Sequence, residues 1–294
     1  MAYETIWHHL YSDPDPELPV SGQNKSKISG IKGYYYEEMI KRLNNVDKGI
    51  VGSVGYFLRR LWKKYESRLT VHKADVYSEW HEQRQKASKA EFEKNFKKKE
   101  IGFDKDGNIW GVYTDLFYDT YKKDWTKAYQ YTFHEFFHNI DYLANSTDDS
   151  FFTYTCKSRF FEFIVPGAKN DRGFARDKEC QFGEIIKTDI AQIENKIKTI
   201  EKLSKHDKAP LYDIIGGANN QEKHTDDNGE SFGHDPEYWA KVSRNDFPKL
   251  LAVETFAHMA ATAIVNRNAF NAMKEYLPNS YRMFVEILKQ MVGI

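Results

Sequence analysis

The chain has 294 residues, of which 40% are hydrophobic and 15% aromatic, so it has enough apolar material for a packed core and is not expected to be disordered. Its 43 basic and 43 acidic side chains balance, which argues against a dedicated nucleic-acid-binding protein. We see no stretch apolar enough to span a membrane and no secretory signal, and therefore expect a cytoplasmic protein without nucleic-acid or membrane partners. Cys156 and Cys180 form no Cys-x-x-Cys pair and are expected to be buried free thiols.

The N-terminal part of the chain begins with an irregular segment. Residues 1–33 are rich in Pro, Gly and polar side chains, which predicts an arm without regular structure. Residues 34–294 are expected to form one domain, whose motif-bearing part is 101–294. Periodic apolar residues predict the first two helices of this domain at 34–45 and 50–65.

Shorter signals follow these helices. Alternation over 68–74 favours a strand, and the charged run 84–99 favours an exposed helix whose lysines form a solvated face rather than a basic binding patch. Asp106-Gly107 between apolar runs predicts a β-hairpin over 101–113. The alternative of a calcium loop is less favoured, because its further acidic ligands cannot be placed.

The second half of the chain is predicted to be mainly helical. Helices are expected at 125–144, 248–266 and 279–292, with an irregular aromatic stretch at 150–182 and a long loop at 215–233. A helical seam that packs on its own domain or binds a partner helix is predicted by the spacing of Ile186, Ile190, Ile193, Ile197 and Ile200.

The helix predicted at 125–144 carries the sequence His134-Glu135-Phe136-Phe137-His138. Histidines four residues apart lie on the same helix face one turn apart, where both imidazoles can bind one metal ion. Glu135 lies beside the first histidine and can reach a water molecule on that metal. Zinc lowers the pKa of such a water to about 7, so a carboxylate can deprotonate it at neutral pH. The motif therefore predicts a hydrolytic zinc centre, against the alternative of a surface helix with two unrelated histidines.

Two other features of this helix favour the metal site. Asp141 lies on the same face three residues after His138, where it can hold a ligand imidazole by its second nitrogen, although it could also be a plain exposed residue. The apolar residues form a separate stripe that is expected to face the core, consisting of Phe133, Phe136, Phe137 and Ile140.

A catalytic zinc needs a third protein ligand and one open position. The residues after His138 lack the third histidine of the extended metzincin pattern, so the ligand must come from elsewhere. Glu254 is the best candidate, because a carboxylate in an apolar, alanine-rich helix needs a partner, and a salt bridge is its alternative role. His258, one turn further on, either supports the ligands or is a core histidine.

These segments carry a family resemblance that covers roughly residues 125–294. His134-Glu-Phe-Phe-His-Asn-Ile-Asp, followed by Glu254-Thr-Phe-Ala, resembles the catalytic domain of anthrax lethal factor and its relatives, and the segment from Tyr276 to Leu288 resembles their final helix. Leu211-Tyr-Asp-Ile-Ile-Gly-Gly and Phe232-Gly-His-Asp-Pro-Glu-Tyr-Trp are similar to segments of zincin-like domains attached to phage minor head proteins.

The resemblance implies a mainly helical α+β zincin-like fold, with a small twisted sheet above the active-site helix. It implies zinc bound by His134, His138 and Glu254, with Glu135 as general base and acid. The expected function is that of a zinc-dependent endopeptidase of the gluzincin type, encoded by a phage or prophage. Its expected partners are a protein or peptide substrate and phage structural proteins, in the host cytoplasm or on the virion.

One position departs from the family pattern. Lethal factor has a tyrosine seven residues before its third ligand that assists the oxyanion, whereas this chain has Phe247 there. His234 or Tyr238 could donate a hydrogen bond to the oxyanion instead, or could only organise their loop. Two alternatives for the whole protein stay open, a phage head-assembly protein that keeps the fold without proteolysis and a toxin of the lethal-factor type.

Overall fold

The computed structural model of the protein describes Leu18 and residues 33–69, 129–146, 181–193, 197–220, 223–240 and 247–293. The predictions that fall outside these residues are almost all of the N-terminal arm, most of the strand at 68–74, the charged helix at 84–99, the hairpin at 101–113, both cysteines and the irregular stretch at 150–182 except its last two residues, which begin α4.

The described residues are mainly helical and include a small antiparallel sheet of two strands, which confirms the mainly helical α+β architecture. In chain order the elements are α1 (Gly33–Asn45), α2 (Val54–Tyr65), a 3-10 turn (Glu66–Arg68), α3 (Gln130–Ser146), α4 (Gln181–Ala191), α5 (Ile197–Ile200), α6 (Lys205–Asn220), β1 (His224–Thr225), β2 (Ser231–Phe232), α7 (Pro236–Ala240), α8 (Phe247–Val265), α9 (Arg267–Tyr276) and α10 (Pro278–Met291). Among these helices, none combines the length and the apolarity needed to cross a membrane.

The chain divides into two compact units, Met1–Leu143 and Ala144–Ile294. In the first unit, α1 and α2 pack against each other. The buried guanidinium of Arg59 in α2 donates hydrogen bonds to the carbonyl oxygens of Leu43 and Val46, at 3.0 and 2.5 Å. These carbonyls lie at the end of α1, where the regular helical hydrogen bonds run out, and Arg59 supplies side-chain donors to them.

The apolar stripe of α3 is buried in the core of the first unit. Trp62 of α2 contacts Phe133 and Phe136 with ring-centroid distances of 5.6 and 5.5 Å. Phe137 and Ile140 of the same stripe are also fully buried. The predicted core-facing stripe is therefore confirmed, and its packing determines which way the other face of α3 points.

The core of the second unit is built around α8, which packs against α4, α6, α9 and α10. Every residue of α8 from Leu250 to Val265 is buried. A helix that is apolar on all sides is typical of a core position. The two ionisable side chains within this stretch, Glu254 and His258, are consequently held inside the protein and need polar partners there.

The last helix is attached to α4 through Asp189. Its buried carboxylate accepts hydrogen bonds from the backbone N and the Oγ of Ser280, both at 2.7 Å, and from Asn279 Nδ2 at 2.8 Å. These groups lie in the first turn of α10, where backbone N–H groups have no acceptor within the helix. The carboxylate accepts from one of them and its negative charge complements the positive end of the helix dipole.

The prediction of a long loop at 215–233 is wrong for its first residues, because α6 continues to Asn220. The two-stranded hairpin follows this helix. In the hairpin, His224 pairs with Phe232 and Thr225 with Ser231. Gly217 does not break the helix but makes room for Trp239, since a Cβ there would lie 2.5 Å from Cζ2 of the indole. A glycine that is unfavourable in an isolated helix is kept here by a long-range contact.

The predicted isoleucine seam is buried at four of its five positions, with Ile197 half-buried, and the prediction is wrong in its continuity. Ile186, Ile190, Ile193 and Ile200 are buried. However, α4 ends at Ala191, and Ile200 belongs to the separate short helix α5. The spacing therefore identified apolar residues that face the core, but not the turn that separates the two helices.

Asn266 connects α6 with α9, a helix that the periodicity did not predict. Pro210 within α6 has no N–H, so the carbonyl of His206 lacks its usual helical donor. Asn266 Nδ2 donates to this carbonyl at 3.1 Å, and Asn266 Oδ1 accepts from the backbone N of Ala269 at 3.2 Å as the N-cap of α9. One side chain thus compensates for the proline and begins the next helix.

We expect Gly217→Ala to destabilise the protein. Alanine is about 1 kcal/mol better than glycine in a free helix, yet the clash with the buried Trp239 should reverse the sign and cost about 1–3 kcal/mol. Urea unfolding of both proteins would measure the change. The double variant Gly217→Ala/Trp239→Phe should be less destabilised than the sum of the single variants. A gain in stability for Gly217→Ala alone would contradict the contact.

Candidate metal centre

The first part of the candidate centre is the histidine pair on α3. The Nε2 atoms of His134 and His138 lie 3.0 Å apart, and the ring planes meet at 87°. His134 is buried and His138 is half-buried. Two ligand nitrogens on a tetrahedral zinc are about 3.3 Å apart, because each Zn–N bond measures about 2.0–2.1 Å. The spacing of the two ring nitrogens therefore fits a pair that binds a single cation.

Two acidic residues of α3 accompany this pair. Glu135 is half-buried. Asp141 is fully buried, so the alternative that it is an exposed helix residue is wrong. Its predicted role in holding a ligand imidazole stays a prediction.

In the second unit, Glu254 is a buried carboxylate on the apolar helix α8, with only 1% of its surface exposed. Tyr238 of α7 donates a hydrogen bond from its hydroxyl to Glu254 Oε1. A buried carboxylate needs a polar partner, and this hydrogen bond shows that Tyr238 is one partner of Glu254. It also gives Tyr238 a defined role, because its hydroxyl hydrogen holds the carboxylate in place.

Asp213 of α6 lies at the centre of a hydrogen-bond cluster. It accepts from the backbone N of His234 at 2.9 Å, from His234 Nδ1 at 3.0 Å and from His258 Nε2 at 2.8 Å. Burial of Asp213 opposes its ionisation, but the hydrogen bonds from the two histidines outweigh burial and hold its pKa below the ordinary range. The group is therefore a carboxylate at neutral pH, and His258 is one of its partners rather than an isolated core histidine.

The loop after β2 brings His234 onto Asp213. Gly233 has a φ of +92°, a backbone conformation that favours glycine. A Cβ at Gly233 would lie 2.6 Å from Asp213 Oδ1, so any larger residue would push the loop away from α6. The His234 ring stacks on Tyr238 with a centroid distance of 3.9 Å and an interplanar angle of 19°. Local backbone freedom and stacking together set the position of this histidine.

The protein thus contains buried groupings of histidine and carboxylate side chains that could hold a metal ion. In the second unit, Asp213, His234 and Glu254 each offer a ligand atom, and these atoms lie within 4.8 Å of one another. Nitrogen and oxygen donors of this kind suit zinc and neighbouring divalent metals. The predicted residues His234, Tyr238, Glu254 and His258 are therefore brought together in one cluster.

Asp213 is the residue of this cluster that the sequence predictions missed. It lies in the apolar segment Leu211-Tyr-Asp-Ile-Ile, and a carboxylate within such a segment needs a buried partner. The argument that selected Glu254 would have selected Asp213 as well.

Comparisons of the chain with protein-family models, curated proteins and solved structures found no match. The resemblance to zincin-like domains consequently rests on the motifs alone.

Proposed function

We propose that the protein is a zinc-dependent endopeptidase of the gluzincin type, encoded by a phage or prophage. The observation that carries this proposal is the convergence of the His134 and His138 ring nitrogens, 3.0 Å apart, next to Glu135. This arrangement has both the nitrogen donors that zinc prefers and a carboxylate in the position of a general base. A purely structural metal site needs the donors but not the base.

We assign zinc to His134, His138 and Glu254. Two imidazoles and one carboxylate form the donor set of catalytic zinc sites such as those of thermolysin-type peptidases. The buried, hydrogen-bonded carboxylate of Glu254 supports this choice, because outer hydrogen bonds commonly orient metal ligands. When bound, zinc would polarise the scissile carbonyl and make water more acidic.

The chain's own residues then carry the proton. Glu135 accepts a proton from the attacking water and passes it to the amine that leaves, so that both halves of the cleaved peptide bond become stable products. Tyr238 keeps Glu254 oriented throughout. The substrate class is a protein or peptide, and phage structural proteins are the candidate partners.

A head-assembly protein that retains the fold without proteolysis is the second candidate. The hydrogen bonds around Asp213 and Glu254 favour it, because a hydrogen-bonded polar cluster inside a protein can serve conformational specificity by itself. Glu135 has no part in such a role. A substitution of Glu135 alone therefore separates the two candidates, because it should abolish peptide hydrolysis but leave a role in head assembly unchanged.

Purified protein is expected to contain one equivalent of zinc per chain, even when no metal is added. Inductively coupled plasma mass spectrometry would measure the content. A His134→Ala/His138→Ala variant should lose the metal, since both nitrogen donors are removed. Zinc far below one equivalent in the wild type, with no uptake on titration, would exclude the metal centre.

A further inference from the structure

We propose that the end of α1 around Asn44 is a binding site for an extended peptide, and that the segment around Leu18 of a second copy can occupy it in exchange for the chain's own. The structure shows this site with the chain's own Leu18 bound to it. Exchange of this contact would link two copies of the protein through their N-terminal segments. The inference does not depend on the proposed peptidase activity.

The first step of the argument is how Leu18 is held. The backbone N of Leu18 donates to Asn44 Oδ1 at 3.0 Å, and Asn44 Nδ2 donates to the carbonyl oxygen of Leu18 at 2.8 Å. A hydrogen-bonded residue of an antiparallel ladder exchanges the same two bonds with its partner. One side chain therefore binds the main chain of Leu18 as a neighbouring strand would, which is a recurring way of binding peptides.

The second step is the sequence of the bound segment. Leu18 is the large aliphatic residue in a stretch, 13–19, that otherwise consists of acidic residues and prolines. Its side chain is buried, with only 2% exposed, so it anchors the segment. The residue before a proline favours extended backbone, and Pro19 follows Leu18 directly. The segment is consequently biased toward the conformation in which one amide can bind both polar groups of a residue.

The third step is the position of Asn44. It is buried on a face of α1 whose other residues are apolar, among them Ile40 and Leu43. A buried carboxamide is unfavourable unless its oxygen and its nitrogen are both hydrogen-bonded. Within the part of the chain that the structure describes, Leu18 satisfies both atoms. This arrangement identifies Asn44 as a residue that recognises a main chain rather than one that fills the core.

The fourth step is the rigidity of the site. The guanidinium of Arg59 donates to the carbonyl oxygens of Leu43 and Val46, which lie on either side of Asn44 in the sequence. These bonds hold the end of α1 without any contribution from Leu18. The site should therefore stay formed when the bound segment leaves, and it can accept an identical segment from outside.

The fifth step is the choice of the partner. Leu18 is the ligand that the structure shows in the site, and every copy of the chain carries the same segment. Residues 19–32 join it to α1, and a connection of this length can span at most about 50 Å. It therefore allows binding to the chain's own site or to that of a neighbour. Exchange of identical elements preserves the contacts of the closed chain, so it becomes favourable at high local concentration.

Binding of a labelled peptide with the sequence of residues 13–23 tests the site, with fluorescence anisotropy of the peptide as the readout. The full-length variant Leu18→Asp should release its own segment, since a carboxylate is unfavourable in an apolar pocket, and should bind the peptide saturably. The wild type should bind it at least about 10-fold more weakly, because its own segment competes. Adding Asn44→Ala to Leu18→Asp should weaken binding about 10–100-fold through the loss of two hydrogen bonds.

Asn266→Ala is the matched control. Asn266 is also a buried asparagine whose amide binds the backbone at both ends, but in the second unit, at His206 and Ala269. Adding Asn266→Ala to Leu18→Asp should leave peptide affinity unchanged at temperatures where the protein is folded. If Leu18→Asp does not fold, Leu18→Ala replaces it, because alanine keeps the main-chain bonds and weakens only the anchor.

Mixing two full-length variants tests the exchange between copies. Leu18→Asp has a site but no ligand, whereas Asn44→Ala has a ligand but no intact site. Donor-labelled Leu18→Asp and acceptor-labelled Asn44→Ala should show energy transfer on mixing, and the double variant Leu18→Asp/Asn44→Ala as donor should show none. Absence of peptide binding to the folded Leu18 variant, or binding that Asn44→Ala leaves unchanged, would overturn the site. Absence of energy transfer at concentrations above the measured Kd of the peptide would overturn the exchange.

Discussion

Glu135→Gln is expected to bind zinc as tightly as the wild type but to hydrolyse peptides about 10²–10⁴-fold more slowly. Glutamine preserves the size of the side chain and most of its hydrogen bonding, but it cannot take a proton from water. Glu135 is half-buried on α3 beside His134, so the substitution should leave the apolar stripe of this helix undisturbed. Zinc content and cleavage of a broad peptide library, measured on the same preparation, would check both parts.

His134→Ala is the comparison for this variant, because it removes a proposed ligand and should lose zinc together with activity. The head-assembly alternative makes a different prediction for Glu135→Gln. If the wild type and Glu135→Gln support phage assembly equally well, and neither cleaves the library, the peptidase proposal is wrong and the structural role replaces it.

Glu254→Gln is expected to weaken zinc binding by more than about 100-fold, because a neutral amide replaces a charged ligand inside the protein. The loss should exceed the roughly 10–100-fold that follows from removing an outer hydrogen-bond partner of a ligand. Tyr238→Phe removes such a partner, namely the hydroxyl that donates to Glu254 Oε1, and should fall within that smaller range. Competition with a chelator of known zinc affinity would measure both variants.

Glu230→Ala is the control for Glu254→Gln. Glu230 is an exposed residue that forms an ion pair with Lys205 at 3.0 Å, and its loss should leave zinc affinity unchanged. Wild-type affinity in Glu254→Gln, combined with a normal zinc content, would show that the third ligand is a different residue.

Local spacing was sufficient to predict the part of the candidate site that lies on a single helix. His134 and His138 are one turn apart, and the stripe from Phe133 to Ile140 has helical periodicity, so the geometry of one helix places the histidines off the core-facing side. The observed distance of 3.0 Å between their Nε2 atoms agrees with that expectation. The apolar surroundings of Glu254 likewise showed that this carboxylate needs a partner, although not which one.

The sequence by itself therefore determined the mainly helical architecture, the histidine pair and the buried stripe of α3, because these depend on residues within a few turns of one another. Only the tertiary structure decided that Asp213 joins His234 and His258, which lie 21 and 45 residues away, and that Gly217 stays within α6 beneath Trp239. A hydrogen bond or a close contact between distant residues leaves no periodic pattern in the chain. It exists only once packing has brought the helices together, and this packing assigned Tyr238 to Glu254 and His234 to Asp213.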